Sequence, residues 1–211
     1  ETMQKGDYHH LTEVVNQGMP LVLFDRSVEE VPSDKVIIDD VKGAKKAVQC
    51  LIDKGAKNIG IISTVDYISV GKLRTLGYTQ ALQENGFTVN QKSILKIEHM
   101  DKVEHEISAF VKESDFDALF AVNEHFAAAA VRAVQEKGQK VPEDVQVIGF
   151  TDGELSKRFI PSLTTISQHG SRMGEEAARL LIEKLEKSPE EEESYKTIIV
   201  DTGLIEREST K

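Results

Sequence analysis

One cysteine, no tryptophan and five prolines stand in 211 residues, and no apolar run approaches the length a helix needs to cross a bilayer. The single Cys50 excludes a disulfide framework within the chain and fits a reducing compartment. Basic residues are also in short supply. Against 36 Asp and Glu there are 26 Lys and Arg, a net charge of −10, which argues against the chain itself gripping nucleic acid by neutralising phosphates. The first residues carry no secretory leader pattern, so a cytoplasmic protein with no membrane partner is expected. The chain opens on Glu1 rather than Met, which leaves room for an upstream part.

What is present is an alternation. Short β-branched runs at 21–25, 35–39, 58–63, 93–97, 117–122, 145–150 and 163–167 read as strands, and 196–206 reads as a last extended stretch. Several are almost continuously apolar, as strands covered on both faces are. Between them lie amphipathic stretches with a 3.6-residue stripe, at 43–54, 73–85, 103–113, 124–137 and 172–187. Gly55, Asn85-Gly86 and Gly138 stand where three of these helices stop. Alternating β and α units of this length predict an α/β fold with right-handed crossovers and doubly wound parallel sheets. The acidic run 188–196 reads as a solvated loop, and Pro161 and Pro189 as places where the chain changes direction.

In open parallel sheets, ligands bind outside the carboxyl ends of the strands. Five predicted strands end in polar groups: Asp25-Arg26, then Ser63-Thr64 with Asp66 and Tyr67, then Asn123-Glu124, Thr151-Asp152, and Gln168-His169. Taken singly, Asn123 reads as the cap of the helix at 124–137, and Asp39-Asp40 suit the positive end of the helix at 43–54. Taken together, planar amides, carboxylates and a guanidinium on one rim suit the hydroxyls of a small polar solute. No phosphate-cradling glycine loop, no G-x-S-x-G elbow and no histidine pair at metal-ligand spacing occurs, so neither cofactor nor metal is expected. Cys50 falls inside a helical stripe, as a buried structural thiol does.

Longer stretches carry a resemblance. RTLGYTQALQENG (74–86), DALFAVNEHFAAAAVRAVQEKGQKVPEDVQVIGFTDGE (117–154), PSLTTISQ (161–168), MGEEAARLLIEKL (173–185) and LIEREST (204–210) occur in this order. Together they resemble the effector-binding core of the LacI/GalR family of bacterial transcriptional regulators, and GMPLVLFDR (18–26) fits as well. The resemblance implies a periplasmic-binding-protein-like fold of two lobes joined by three crossovers, closing on a small effector, usually a sugar. It further implies homodimers that read operator DNA through an N-terminal helix-turn-helix headpiece. A periplasmic sugar-binding protein serving transport is the alternative, with the same fold. An enzyme would need a nucleophile–base pair or metal site that the sequence does not offer.

On this resemblance, residues 1–57 and 168–194 are a remnant of the N-terminal lobe, and 58–167 with 195–211 form the C-terminal lobe. The headpiece and the first elements of the N-terminal lobe are missing, and an exposed sheet edge is expected there. The effector-binding positions are Arg74, Asn123, Asp25, Asp152, Thr151 and Gln168, in the cleft between the lobes. The family's usual G-[FY]-D-D is here Gly149-Phe150-Thr151-Asp152, so a hydroxyl replaces the first carboxylate. Either Asp152 takes over that role or the ligand differs. The dimer surface is expected to include His125, Ala128, Phe159 and Ile160, the last two either exposed or tucked under the lobe.

Overall fold

The computed structural model describes residues 8–65, 69–186 and 194–211. The periodic segments form the expected elements, with ends shifted by a few residues. In chain order these are α1 (His9–Asn16), β1 (Val22–Phe24), β2 (Asp34–Ile38), α2 (Asp40–Asp53), β3 (Ile59–Thr64) and α3 (Ser69–Glu84). There follow β4 (Ile94–Ile97), α4 (Val103–Lys112), β5 (Ala118–Ala121), α5 (Glu124–Glu136) and β6 (Gln146–Phe150). The chain ends with β7 (Thr164–Ser167), α6 (Gly170–Glu186), β8 (Thr197–Val200) and β9 (Gly203–Ile205). Residues 1–7, the rim residues Asp66 and Tyr67, and most of the acidic run at 188–196 lie outside the described residues.

The chain divides into two compact units. The larger comprises Asp40–Ser167 and Thr202–Lys211, and the smaller the chain up to Asp39 together with Gln168–Asp201. One division between the units falls at Ser167/Gln168. The first boundary falls at Asp39/Asp40 instead of 57/58, because α2 packs along α3 and against β5, β6, β7 and β9. The last falls at Asp201/Thr202 instead of 194/195. There the extended stretch 196–206 breaks into two strands, β8 pairing with β2 in the smaller unit and β9 with β7 in the larger.

In the larger unit the strand order is β4-β3-β5-β6-β7-β9, parallel throughout except for the antiparallel β9. β5, β6 and β7 are buried along their whole length, which explains their unbroken burial-prone sequences. Helices α2 and α3 pair with each other, as do α4 and α5. From β3 the chain steps outward to β4 and then back past β3 to β5, so the direction of winding reverses between β3 and β5. That reversal is the place where such sheets open a crevice at their carboxyl ends. The smaller unit is a three-stranded parallel sheet, β1-β2-β8, against which α6 packs. Its α1 buries no residue, and β1 and β8 are the edges of the sheet.

Local chemistry sets the helix ends. The Asn123 side chain accepts from the Phe126 amide at 2.8 Å with an extended backbone, the expected N-cap of α5. At the other end Gly138 takes φ +83, and the amides of Gly138 and Gln139 close onto the carbonyls of Gln135 and Val134. Two expected stripes differ from what is observed. In α3 the buried positions are Gly71, Arg74, Gly77, Tyr78, Ala81 and Leu82, while Leu73 is exposed. In α6 only Met173 and Leu180 are buried, and Leu185 is exposed. The Tyr78 hydroxyl donates to the Ile59 carbonyl at 2.8 Å, and burial raises its phenol well above the ordinary range. Cys50 is buried, and desolvation raises its thiol, as befits a structural position.

Gly77 marks the closest approach of α3 to α2. A Cβ there would lie 2.4 Å from the Val41 carbonyl oxygen and 2.7 Å from the Ala44 Cβ, whereas a Cβ on Gly174 in α6 meets nothing within 4 Å. Alanine favours a helix interior over glycine by about 1 kcal/mol, but a Gly77→Ala side chain would push apart two helices joined backbone to backbone. In urea unfolding Gly77→Ala is therefore expected to lose about 1–3 kcal/mol, and Gly174→Ala to gain about 0.5–1 kcal/mol.

Candidate functional site

The carboxyl-end rim of the larger unit is assembled by β3, β5, β6 and β7 together with the start of α3. Arg74, in the second turn of α3, is 4% exposed. Its Nε donates to Asp40 Oδ1 at 2.7 Å and its Nη1 to the Val122 carbonyl at 2.5 Å. The guanidinium lies 3.5 Å over the Phe150 ring, a cation–π contact in a desolvated place. From the other direction α2 approaches the same ring, where a Cβ on Gly43 would come within 2.8 Å of Phe150 Cζ. Asp40 thus has two duties: it opens α2, as its position suggested, and it neutralises Arg74.

At the end of β6 the backbone turns abruptly. Thr151 has φ +81, a conformation that β-branched residues rarely adopt, and its amide donates to the Ile166 carbonyl at 2.8 Å. Asp152 accepts from Arg207 Nη2 at 2.7 Å and from the Thr165 hydroxyl at 2.9 Å. Glu124, after β5, accepts from both the amide and the hydroxyl of Ser156 at 2.7 and 2.6 Å. Gly153 lies against the same carboxylate, with room for no Cβ. Among the described residues Asn123 uses its carbonyl oxygen for the cap, while its amide nitrogen donates to none of them. The Thr64 hydroxyl is buried with no hydrogen-bond partner, pressed by Gly71.

In the smaller unit Asp25 follows β1 with φ +65, and Gln168 Nε2 donates to its carboxylate at 3.2 Å. His169, next along, has φ +51. Asp25, Thr151 and His169 are the non-glycine residues with positive φ among those described, and each stands just past a strand end. Non-glycine backbone in that region costs on the order of 1–3 kcal/mol and gathers at functional sites.

Of the expected site residues, Arg74, Asn123, Thr151 and Asp152 thus lie at strand or helix ends of the larger unit, and Asp25 with Gln168 in the smaller. The structure adds Asp40, Thr165, Arg207 and Glu124 as the groups that fix them. Arg207 was visible only as a letter in LIEREST, with no sequence signal for its partner. The dimer residues separate: His125 and Ile160 are exposed, Ala128 and Phe159 half-buried, which leaves Ile160 exposed and Phe159 partly tucked in.

The matching family model is the periplasmic binding protein-like domain, over residues 48–210. The chain is 31% identical over 195 residues to the ribose operon repressor of Haemophilus influenzae, a match covering 91% of this chain and 58% of that protein. It is 34% identical over 197 residues to the HTH-type transcriptional repressor PurR of the same species, covering 92% and 58%. Among solved structures, the transcriptional regulator CelR–cellobiose complex superposes with a TM-score of 0.83 at 29% identity, over 93% of this chain and 60% of that one. A LacI family transcriptional regulator from Enterococcus faecium with bound ribose gives 0.82 at 25%, over 93% and 72%. The chain spans about three-fifths of the length of the curated relatives it matches. Those relatives are transcriptional regulators and not enzymes. The chain belongs to the periplasmic binding protein-like domain family, and its relatives there are LacI-family transcriptional regulators.

Proposed function

We propose that these residues are the effector-binding and dimerisation part of a DNA-binding transcriptional regulator that senses a small polar ligand, a sugar or a related solute. The observation that carries this reading is the strained backbone at Asp25 and Thr151, two positions the sequence marks as ligand contacts. The relatives support it, one being named a ribose operon repressor and two solved neighbours holding cellobiose and ribose.

Arg74, Asn123, Thr151 and Asp152 in the larger unit and Asp25 and Gln168 in the smaller are the proposed effector-binding residues. In the larger unit the charged members, Arg74 and Asp152, already hold opposite charges, and Thr151 and Asn123 add neutral polar groups. That balance suits an uncharged polyol better than an ionic ligand. A cytoplasmic place goes with this role, and operator DNA is assigned to a headpiece beyond these residues, since a chain of net charge −10 is poorly suited to phosphate contacts.

For the homodimer, the surface proposed runs from His125 and Ala128 on α5 to Phe159 and Ile160. Ile160 is 87% exposed and Leu155 51%, apolar area near each other in the chain that would suit a partner surface. Ile160→Asp is expected to give monomers in sedimentation while leaving the fold intact, because the side chain is outside the core. A dimer of unchanged stability would exclude this surface.

A thermal-shift panel of D-ribose, cellobiose and D-xylulose tests the ligand class. A sugar at a hundredfold excess over its dissociation constant raises stability by about 2.7 kcal/mol. Thr151→Ala, which removes the hydroxyl, is expected to diminish that shift. No response to any of the three would count against a sugar of this kind.

A further inference from the structure

Thr151 needs something to hold it. Left to itself, a threonine at φ +81 would relax toward extended backbone, and its amide bond to Ile166 is one of the contacts that hold the turn. The next residue is tied far more firmly. Asp152 and Arg207 are each 14% exposed in their side chains and form an ion pair at 2.7 Å. The same guanidinium donates through Nη1 to the Leu163 carbonyl at 2.7 Å and to the Thr165 hydroxyl at 3.2 Å, and that hydroxyl in turn donates to Asp152. One planar group therefore fixes three points on two elements, which a lysine cannot do.

Arg207 is itself held in place. Its amide donates to the Thr164 hydroxyl at 2.9 Å. Two residues on, the Ser209 hydroxyl donates to the Val147 carbonyl at 2.6 Å and accepts from the Thr164 amide at 2.8 Å, bridging β6 and β7. On the far side of the turn, Glu124 holds Ser156.

We propose that Arg207 is a positioning residue for effector recognition, acting through Asp152 to keep Thr151 in the left-handed conformation that presents it at the rim. This rests on the reading of Thr151 as an effector contact. Arg207 does not touch the ligand; it sets the geometry of the residue that does.

The test uses the full chain, isotopically labelled, with the Thr151 Cα and Cβ chemical shifts as a direct readout of its backbone and D-ribose as the titrant. In Arg207→Met the Thr151 shifts are expected to move toward extended values, and D-ribose affinity to fall about two- to tenfold, the loss of one neutral hydrogen bond from the misplaced Thr151 hydroxyl. Arg207→Lys, which keeps the charge and loses the fork, is expected to lie between. The amides of Val147 and Thr164, which report the Ser209 bridge, are expected to stay in place, separating this role from a general loosening. If Arg207→Met does not give a folded spectrum, Asp152→Asn, which keeps the shape and removes the ion pair, carries the test through the Thr151 shifts alone, because Asp152 is itself among the proposed effector contacts. Thr151 shifts unchanged in the folded variant would overturn the positioning role, whether or not ribose binds. Shifts displaced with ribose affinity intact would leave the clamp standing and overturn Thr151 as an effector contact.

Discussion

A guanidinium taken out of water must be met by an opposite charge and by acceptors for its hydrogens, and the larger unit is arranged around one that is. Arg74 is satisfied by a carboxylate from α2, a carbonyl from the end of β5 and the face of Phe150 at the end of β6. No single one of these would compensate for its desolvation. Removing one partner of such a pair typically costs about 3–5 kcal/mol, because the other charge is left buried and alone. The consequence is geometric: α2, α3, β5 and β6 share one contact and cannot shift independently. It also explains why α2 belongs with the larger unit, since Asp40, its first residue, is already committed to Arg74.

The second ion pair repeats the logic one strand over. Arg207 and Asp152 neutralise each other at the end of β6, so the rim carries buried charges that are internally balanced. On the proposed reading, hydroxyl and amide groups beside these pairs meet the ligand, a combination that favours orientation over raw electrostatic attraction. The strain at Thr151 fits here. A conformation costing on the order of 1–3 kcal/mol persists only where its surroundings over-determine it, and the turn is pinned by Arg207 and Thr165 on one side and by Glu124 on the other.

Much of this was legible from local pattern. Short, almost continuously apolar runs placed the strands and period-3.6 stripes the helices, Asn123 announced its cap, Gly138 its stop, and polar residues after apolar runs marked the strand ends. Where pattern and structure part, the cause lies across an interface. Leu73 is apolar yet exposed, because the α3–α2 approach puts Gly77 and Arg74 on the inner face, against Val41 and Asp40. Asp40 looked like a helix-end acid because its second partner is 34 residues away, and the 55 residues between Asp152 and Arg207 hide their pairing in the same manner. Periodicity speaks about neighbours in sequence; charge pairing of this kind is decided by topology.

That difference bears on what distinguishes this chain from its relatives. Scaffold residues that answer to local physics are recoverable from one sequence, while the residues tuning the rim answer to partners brought in by the fold. The Thr151 substitution shows why the two must be read together. As a sequence feature it is the exchange of a carboxylate for a hydroxyl. Within the structure it places a neutral side chain beside two ion pairs, Arg74–Asp40 and Arg207–Asp152, at a position whose backbone takes φ +81. A hydroxyl can both donate and accept, whereas an ionised carboxylate only accepts. On the proposed reading of Thr151 as an effector contact, the exchange alters which ligand hydroxyls can be matched.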